Sequence, residues 1–279
     1  MSTNFPTNVT SILAQLAPGP VAFILNEDDV ELAATVDHHR RLGFENIIVL
    51  GESPTARDIA ATFIPVAPFT ELTEFLNQVL DVLAGRWVLA LHNAEFLFFP
   101  FCENRTIRDV TQFMNEERRD AVFCTTVDIY GATIDRDAAA LDFADTWFDR
   151  AGYYSTGRFD GPQRLERQIR LFGGLKWRFA EHVPWERQNI DRIALFQARP
   201  GLRFDEDGRL NDAEMNTITC PWHHNLTAAI ASYRVAKSLI ANPGSTYDVD
   251  GFVWDQSEKF AWTSEQLMAH GLMEPGQWF

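Results

Sequence analysis

The sequence predicts an α/β fold in which a mixed, mostly parallel sheet is flanked by helices, as in Rossmann-like domains. Short apolar runs at 21–25, at 87–91 and within 45–50 are typical of strands that are buried on both faces. Amphipathic segments alternate with these runs to about residue 130, as expected when crossover helices connect parallel strands. A chain of 279 residues can bury the core of such a domain.

The first half of the chain follows this alternation from one element to the next. After the strand at 21–25, the polar run from Asn26 to Asp29 predicts an N-cap and the acidic first turn of a helix. That helix is expected to end near Leu42, because Gly43 is a natural C-terminal stop. The next predicted elements are strands at 45–50, 62–66, 87–91 and 120–131 and helices at 70–84 and 106–119.

The second half has weaker patterns. Residues 132–165 are rich in Asp, Arg, Gly and aromatic residues with little periodicity, which predicts a functional loop or a loosely ordered excursion. The Gly-Gly segment at 172–178 is interpreted as a turn between strands, with a backbone approach to a diphosphate as the alternative. The elements predicted after it are strands at 191–197 and within 216–226, a helix at 227–240, and a tail at 243–279 with a short helix near 264–270. The aromatic residues of this tail are expected to pack over the core.

The composition excludes several partners. A formal net charge of -15 argues against nucleic acid and against an anionic membrane surface, since both demand basic patches. Three widely spaced cysteines do not suggest a disulfide framework and indicate a reducing cytoplasm. We expect no signal peptide and no transmembrane segment, and the absence of a GxGxxG motif disfavours NAD and FAD. Most of the 22 Phe and 8 Trp are assigned to the core, with some Trp left to stack on sugars.

Polar side chains follow the strongest predicted strand at the point where it ends. His92, Asn93 and Glu95 come directly after the apolar run at 87–91. Open α/β sheets bind their ligands at the carboxyl ends of their strands. Three side chains that can bind a metal or form hydrogen bonds therefore predict a functional site at this position.

The same stretch resembles a motif of family 2-like glycosyltransferases, which have the GT-A fold. In that family a buried strand that starts near a Trp leads into Asp-x-Asp-Glu-Phe. The aspartates hold a divalent cation, and the cation holds the diphosphate of a nucleotide-sugar. Alignment on Glu95 and Phe96 places His92, Asn93 and Ala94 where the family has Asp-x-Asp, so both aspartates are replaced.

Two further stretches resemble the same family in the same order. Asn26 and Glu27 follow the first strand, and His38-His39 precede Gly43, as in the opening of the family, where the end of the first strand contacts the nucleotide. Near the other end, 216–226 contains a His pair where GT-A enzymes often place a metal or phosphate ligand. The resemblance extends over about residues 20–240.

This resemblance implies a domain organisation and a reaction. The implied GT-A-like domain spans 21–242, with a nucleotide-binding half at 21–131 and an acceptor half at 132–242. An N-terminal segment at 1–20 precedes it, and the tail at 243–279 packs on it. The implied reaction transfers a sugar from a nucleoside-diphosphate sugar to a glycan or to a lipid-linked acceptor.

Three arrangements stay open for the charge that develops on the departing diphosphate. In the first, His92, Glu95 and His223 or His224 rebuild a cation site, with Mn2+ the favoured ion because imidazole replaces carboxylate. In the second no metal binds, and basic side chains neutralise the diphosphate. In the third catalysis is lost and a nucleotide-sugar-binding protein remains. The basic candidates are Lys176, Arg178 and Arg203, and Asn26, Glu27 and Asn93 are the candidates for the nucleotide.

An inverting transfer also needs a carboxylate that accepts the proton of the acceptor hydroxyl. Asp128, near the end of a strand, and Asp160, in the aromatic segment, are the candidates. A separate hypothesis is a metal-dependent hydrolase in which Glu95 acts as base beside a metal held by histidines. Binding of UDP or GDP distinguishes these functions, because such a hydrolase needs no diphosphate pocket.

Overall fold

The computed structural model describes residues 8–54, 59–67, 69–134, 140–218, 225–242, 244–245, 247 and 249–278. It has an α/β fold with a mixed, mostly parallel central sheet flanked by helices, so the predicted fold class is confirmed. The strands are β1 Val21–Leu25, β2 Asn46–Leu50, β3 Thr62–Ile64, β4 Trp87–His92, β5 Glu95–Phe98, β6 Ala121–Gly131, β7 Thr146–Asp149, β8 Tyr154–Asp160, β9 Gln163–Phe172, β10 Asp191–Gln197, β11 Thr227–Ser232 and β12 Ser257–Lys259. The helices are α1 Val9–Ala14, α2 Leu32–Arg41, α3 Leu72–Val79, α4 Ile107–Glu116, α5 Gly174–Arg178, α6 Arg234–Ala241 and α7 Ser264–Ala269.

The chain divides into two compact units, each assembled from three segments. Unit 1 consists of Met1–Asn93, Arg105–Val122 and Ile193–Asn216. Unit 2 consists of Ala94–Asn104, Phe123–Arg192 and Thr217–Phe279. The domain limits that the resemblance implies stay a prediction.

Unit 1 is built on the parallel strands predicted from the apolar runs. β1 pairs in parallel with β2 on one side and with β4 on the other, and β2 pairs in parallel with β3. All residues of β1 and β2 are buried, which explains why every residue of these strands except Asn46 is apolar. Since the chain runs from β1 to β2 and β3 before it reaches β4, the strand order reverses between β1 and β4. Such a reversal is the usual place for a ligand in an open α/β sheet.

Unit 2 has a different arrangement of strands. β6 and β11 are parallel neighbours, while β5 pairs antiparallel with β11 and β7 pairs antiparallel with both β6 and β12. Asp128 and Ser232 are paired in register, so Asp128 lies in β6 beside the last residue of β11. β8 and β9 form a separate hairpin. In the tail, Phe252, Phe260 and Trp278 are buried, as predicted.

The predicted helix start at Asn26 is wrong. α2 begins at Leu32, and the residues before it form a loop in which Asp29 and Glu31 have φ angles of 61° and 54°. The Asn26 side chain accepts a hydrogen bond from the Asp29 backbone N–H at 3.1 Å, so it closes a local turn and does not cap the helix. The predicted end is correct: the C-cap is Leu42, and Gly43 follows with φ 95°.

Three predictions in the second half are also wrong. The segment expected to be a loop at 132–165 contains β7, β8 and the start of β9. These strands escape the apolar pattern because much of the β8–β9 hairpin is exposed on both faces. The Gly-Gly segment forms the short helix α5 and not a turn. The helix expected at 227–240 is strand β11 followed by α6, because the alanine-rich run of β11 is buried between β5 and β6.

Three of the remaining described helices, α3, α4 and α7, lie where helices were predicted, whereas α1 lies in the N-terminal segment, where no helix was predicted. α4 starts with the capping box of Thr106 and Asp109, and α7 lies where a short helix was expected. Among the described residues, none of the helices combines the length and the apolar character needed to cross a membrane.

Candidate functional site

The first candidate site is the loop that follows β1 in unit 1. Residues 26–31 lie at the carboxyl end of β1, beside the end of β4, where the strand order reverses. Glu27, Asp28 and Asp29 are exposed along this loop. The edge therefore presents three carboxylates, which can accept hydrogen bonds from ligand hydroxyl or amino groups.

Asn93 fixes the shape of this loop. Its side chain is fully buried, and its Oδ1 accepts a hydrogen bond from the Glu27 N–H at 2.9 Å. Its Nδ2 donates to the Asp28 Oδ1 at 2.6 Å and to the Val30 carbonyl at 2.8 Å. The Asn93 backbone N–H donates to the Leu25 carbonyl at 3.0 Å, so β4 and the loop after β1 are tied by both backbone and side chain. The loop is therefore preorganised, because Asn93 at the end of β4 fixes the positions of Glu27, Asp28 and Val30.

The structure brings together Asn26, Glu27 and Asn93, which the sequence analysis named as candidates for the nucleotide. Asn26 organises the same loop from within, because it also donates to Asp29. Gly51, at the end of β2, lies close by: a Cβ at that position would be 3.1 Å from the Cβ of Asn26. A side chain at residue 51 would therefore press on the loop.

The second candidate site is Asp128 in unit 2. Its side chain is 1% exposed at the edge shared by β6 and β11. Oδ2 accepts hydrogen bonds from the backbone N–H groups of Leu175, at 2.8 Å, and Lys176, at 3.4 Å. Oδ1 is buried and has no hydrogen-bond partner among the described residues. A buried carboxylate oxygen without a donor is rare in folded proteins, and such exceptions call for a structural or functional reason.

The environment of Asp128 changes its acidity. Burial raises the pKa of the Asp128 carboxyl to about 6, and the nearby charge of Lys176 and the two backbone N–H groups only partly offset this effect. Burial also lowers the pKa of Lys176, whose ammonium donates to the Asn189 carbonyl at 3.0 Å. A carboxyl whose pKa lies near neutrality is suited to accept a proton.

Glu95 lies among the same charged residues of unit 2. It is 1% exposed, and its Oε2 accepts a hydrogen bond from Arg192 at 2.7 Å. Its Oε1 accepts from the Ser232 hydroxyl at 3.3 Å. The charges of Glu95, Arg192 and Arg234 all act on the Lys176 ammonium, so acidic and basic groups are concentrated at this edge of unit 2.

The predicted metal ligands are only partly within the described residues. Glu95 is engaged by Arg192 and Ser232, so its carboxylate is already neutralised by a guanidinium. His92 ends β4 in unit 1, and His223 and His224 lie outside the described residues. Within the described ranges, no three His, Cys, Asp or Glu residues form a group that could hold a metal ion.

Two of the predicted basic residues are engaged in ion pairs. Arg178 pairs with the buried Asp149 at 3.2 Å and donates to the Phe252 carbonyl at 2.6 Å. Arg203 pairs with Asp81 in unit 1, and hydrogen bonds from Arg203 hold the pKa of the exposed Asp81 at about 2. Arg178 and Arg203 therefore have a structural role. Of the three predicted basic residues, Lys176 is the one that lies beside Asp128, the candidate general base.

The other predicted general base, Asp160, lies apart from these groups. It is exposed at the end of β8, opposite Gln163 in the β8–β9 hairpin. Sequence reasoning missed Arg192 and Ser232, which complete the surroundings of Glu95. The available signal was weak: Arg192 is a charged residue at the start of β10, directly before its apolar run at 193–196.

Comparison with known proteins adds no family. No protein-family model matches this sequence, and no curated protein matches it in sequence. The functional assignment therefore has to depend on the geometry of the two edges and on the resemblance of the short motifs.

Proposed function

We propose that this chain is a glycosyltransferase-like protein that binds a nucleoside-diphosphate sugar and transfers the sugar to a glycan or to a lipid-linked acceptor. The observation that carries the proposal is the loop at 26–31, which Asn93 holds at the reversal of strand order in unit 1. Ligands of open α/β sheets bind at this position, and nucleotides are a common class among them. The resemblance of the short motifs to those of glycosyltransferases is the reason for proposing a nucleoside-diphosphate sugar as the donor.

The charge of the loop defines which part of the donor it fits. Glu27, Asp28 and Asp29 would repel a diphosphate, whereas ribose hydroxyls and base amino groups donate hydrogen bonds to carboxylates. We therefore assign this loop to the nucleoside. The same preference for a carboxylate partner of the ribose is found in other nucleotide-binding α/β folds.

The departing diphosphate needs positive charge to stabilise it. Basic side chains are one proposal for this task, as the resemblance implies for Lys176, Arg178 and Arg203, of which Arg178 and Arg203 are engaged in ion pairs. A divalent cation, with Mn2+ favoured if histidines bind it, is the competing proposal. The dependence of turnover on added Mn2+ and on chelator distinguishes the two.

Asp128 is our candidate for the general base. Because Oδ1 is buried, unit 2 would have to open before the acceptor hydroxyl could donate to it. The hydroxyl would then lose its proton to this carboxylate and attack the anomeric carbon as the bond to the diphosphate breaks. The raised pKa supports this role, since a base near neutrality accepts a proton more readily than an ordinary carboxylate. The Asp128→Asn variant should bind donor with unchanged affinity and lose transfer; retained turnover would remove Asp128 from the mechanism.

The decisive test is a calorimetric titration with UDP, GDP and their sugar conjugates, with and without Mn2+. In the Asn93→Asp variant a carboxylate replaces the amide that donates to Asp28 and Val30, so repulsion should open the loop. We expect binding to weaken by about tenfold or more, equivalent to about 1.4 kcal/mol.

The matched control is Asn77→Asp, also in unit 1. Asn77 bridges the backbone of Phe204 with both side-chain atoms, at 2.9 and 2.7 Å, much as Asn93 bridges the loop. This control should lose some stability and keep nucleotide binding. Equal loss of binding in both variants, or no binding by the unaltered protein, would overturn the proposal. Binding without transfer to any acceptor would identify a nucleotide-sugar-binding protein.

A further inference from the structure

An exposed cluster of aromatic rings and one arginine lies at the base of the β8–β9 hairpin in unit 2. Tyr154 and Phe172 are paired across the hairpin, with ring centroids 5.1 Å apart and planes inclined by 16°. Trp185 stacks on the same Phe172 at 5.4 Å and 19°. The guanidinium of Arg170 lies 5.4 Å from the Phe172 ring centroid and 5.5 Å from that of Trp185. We call these four residues the aromatic–arginine surface.

The aromatic–arginine surface is accessible although its centre is packed. Phe172 is 2% exposed, whereas Tyr154 is 43% and Trp185 is 56% exposed. Stacking of three rings fixes their orientation, so a ligand would lose little side-chain entropy by binding them. Exposed, rigid Tyr and Trp beside Arg form the composition that dominates binding energy at recognition surfaces.

The charge of the hairpin differs from that of the chain as a whole. Between Tyr154 and Phe172 there are four arginines and two acidic residues, in a chain with a formal net charge of -15. The side chain of Arg170 makes no ion pair with any residue that the structure describes, and its Nε is buried without a hydrogen-bond partner there. The Arg170 guanidinium is positioned by its contacts with the rings of Phe172 and Trp185, and its planar shape allows two parallel hydrogen bonds to a carboxylate.

A second arginine of the hairpin is also held in place. Arg164 lies against Gly157 on the facing strand, where a Cβ would be only 2.7 Å from the Arg164 Nε. Among the described residues no acidic side chain pairs with Arg164, which is exposed. Phe159, 58% exposed, is paired with Arg164 across the hairpin. The far part of the hairpin thus repeats the combination of an exposed ring and an unpaired cation.

We propose that the β8–β9 hairpin, through its aromatic–arginine surface, binds an acidic glycan, that is, a polysaccharide whose sugars carry carboxylates. The rings offer apolar faces to sugar rings, and Arg170 and Arg164 offer bidentate partners to the carboxylates. The fixed ring geometry favours a ligand of defined shape over the fluid surface of a membrane. This inference goes beyond the proposed function, because glycan binding here needs neither a donor nucleotide nor catalysis.

The test uses the full chain and three probes in the absence of nucleotide: polygalacturonate, the neutral glycan dextran, and phosphatidylglycerol vesicles. We expect binding to polygalacturonate alone, weakened by added NaCl because ion pairs at an exposed surface are screened. Trp185→Ala should weaken it by about tenfold or more, as truncation of a central aromatic does at binding surfaces. Arg170→Gln should weaken polygalacturonate binding by several-fold and reduce its salt dependence.

Two control variants remove the same chemical groups elsewhere. Arg150→Gln removes an exposed positive charge of unit 2, and Phe69→Ala removes a fully exposed ring of unit 1. Both should bind polygalacturonate like the unaltered protein.

Arg170→Gln also tests the inference if Trp185→Ala fails to fold, which thermal unfolding reports. Equal binding of dextran, preference for the vesicles, or equal losses in variants and controls would overturn the inference. Nucleotide titration is a separate measurement, so failure here leaves the proposed function standing.

Discussion

Two buried aspartates of unit 2, Asp149 and Asp128, have the same exposure and opposite surroundings. Asp149 is 1% exposed, and its carboxylate accepts hydrogen bonds from Tyr130, Arg178 at 3.2 Å and Trp254 at 2.7 Å. Asp128 is equally buried, yet only one of its two oxygens has partners among the described residues. Both oxygens of the Asp149 carboxylate accept hydrogen bonds, whereas only Oδ2 of Asp128 does so among the described residues.

This difference separates a structural carboxylate from a candidate catalytic one. The donors around Asp149 include a guanidinium that lies 4.9 Å from the Trp254 ring centroid, so charge, hydrogen bonds and ring contacts support one another. Asp128 keeps an oxygen for which the fold supplies no donor, and burial without full compensation raises its pKa. Groups of this second kind concentrate at functional sites.

The largest expected effect is the loss of the saturated carboxylate. Asp149→Ala would leave Arg178 with a partly buried charge and Trp254 without its acceptor, and Tyr130 would keep only the Ser257 hydroxyl. We expect unfolding free energy to fall by about 3 to 5 kcal/mol, as when one partner of a buried pair is removed. Urea denaturation of the variant and of the unaltered protein measures this loss of unfolding free energy. Asp160→Ala, at an exposed site, should stay within about 0.5 kcal/mol. A loss near that of the control would mean that Asp149 does not hold unit 2 together.

The pH dependence of stability tests the half-satisfied carboxylate. The pKa of Asp128 is raised from 3.8 to about 6 in the folded state, so the proton is bound more tightly there than in the unfolded chain. The stabilisation that protonated Asp128 gives to the folded state is complete below pH 3.8 and is lost as the pH rises through about 6. By linkage the loss is about 3 kcal/mol.

The Asp128→Asn variant isolates this contribution, because an amide does not titrate. Denaturation at pH 4 and pH 7 should show that the fall in stability between these values is smaller in the variant than in the unaltered protein. Parallel curves for the two proteins would show that Asp128 titrates as an ordinary carboxyl, which would also weaken its assignment as a general base.

A smaller effect is expected at the glycine that lets α5 approach Asp128. Gly174 has φ 63°, and a Cβ there would be 2.6 Å from the Asp128 Oδ2. Gly174→Ala should cost about 2 to 3 kcal/mol, because the unfavourable backbone conformation adds to displacement of the carboxylate. Gly161→Ala is the matched control, since Gly161 has φ 56° and open space around it. The control should cost about 1 kcal/mol. Equal costs at both positions would show that Asp128 moves aside freely.

The fold was predictable where strands are buried on both faces. β1, β2, β4 and β6 were all located from segments rich in apolar residues. The β8–β9 hairpin was not, because its exposed strands have no apolar alternation to detect. β11 was mistaken for a helix, because its alanine-rich sequence favours a helix locally while pairing with β5 and β6 decides the outcome.

The candidate sites were predictable in part. Asn93 and Glu27 follow strands in the sequence, so their position at an edge of the sheet could be inferred from the order of elements. The pairing of Glu95 with Arg192 could not, because 97 residues separate them and both sit in strands with ordinary sequences. The unused Asp128 oxygen depends on where α5 directs its backbone N–H groups.

The α/β class, the buried strands and the polar residues at their ends can be inferred from the sequence, because they follow from local apolar runs and the residues beside them. Only the folded chain shows which carboxylate has all its donors, which arginine is already paired, and which aromatic rings stay exposed. Those properties depend on partners that are distant in the chain. Burial and hydrogen bonding set the acidity and availability of a side chain, and both arise only when remote segments pack together.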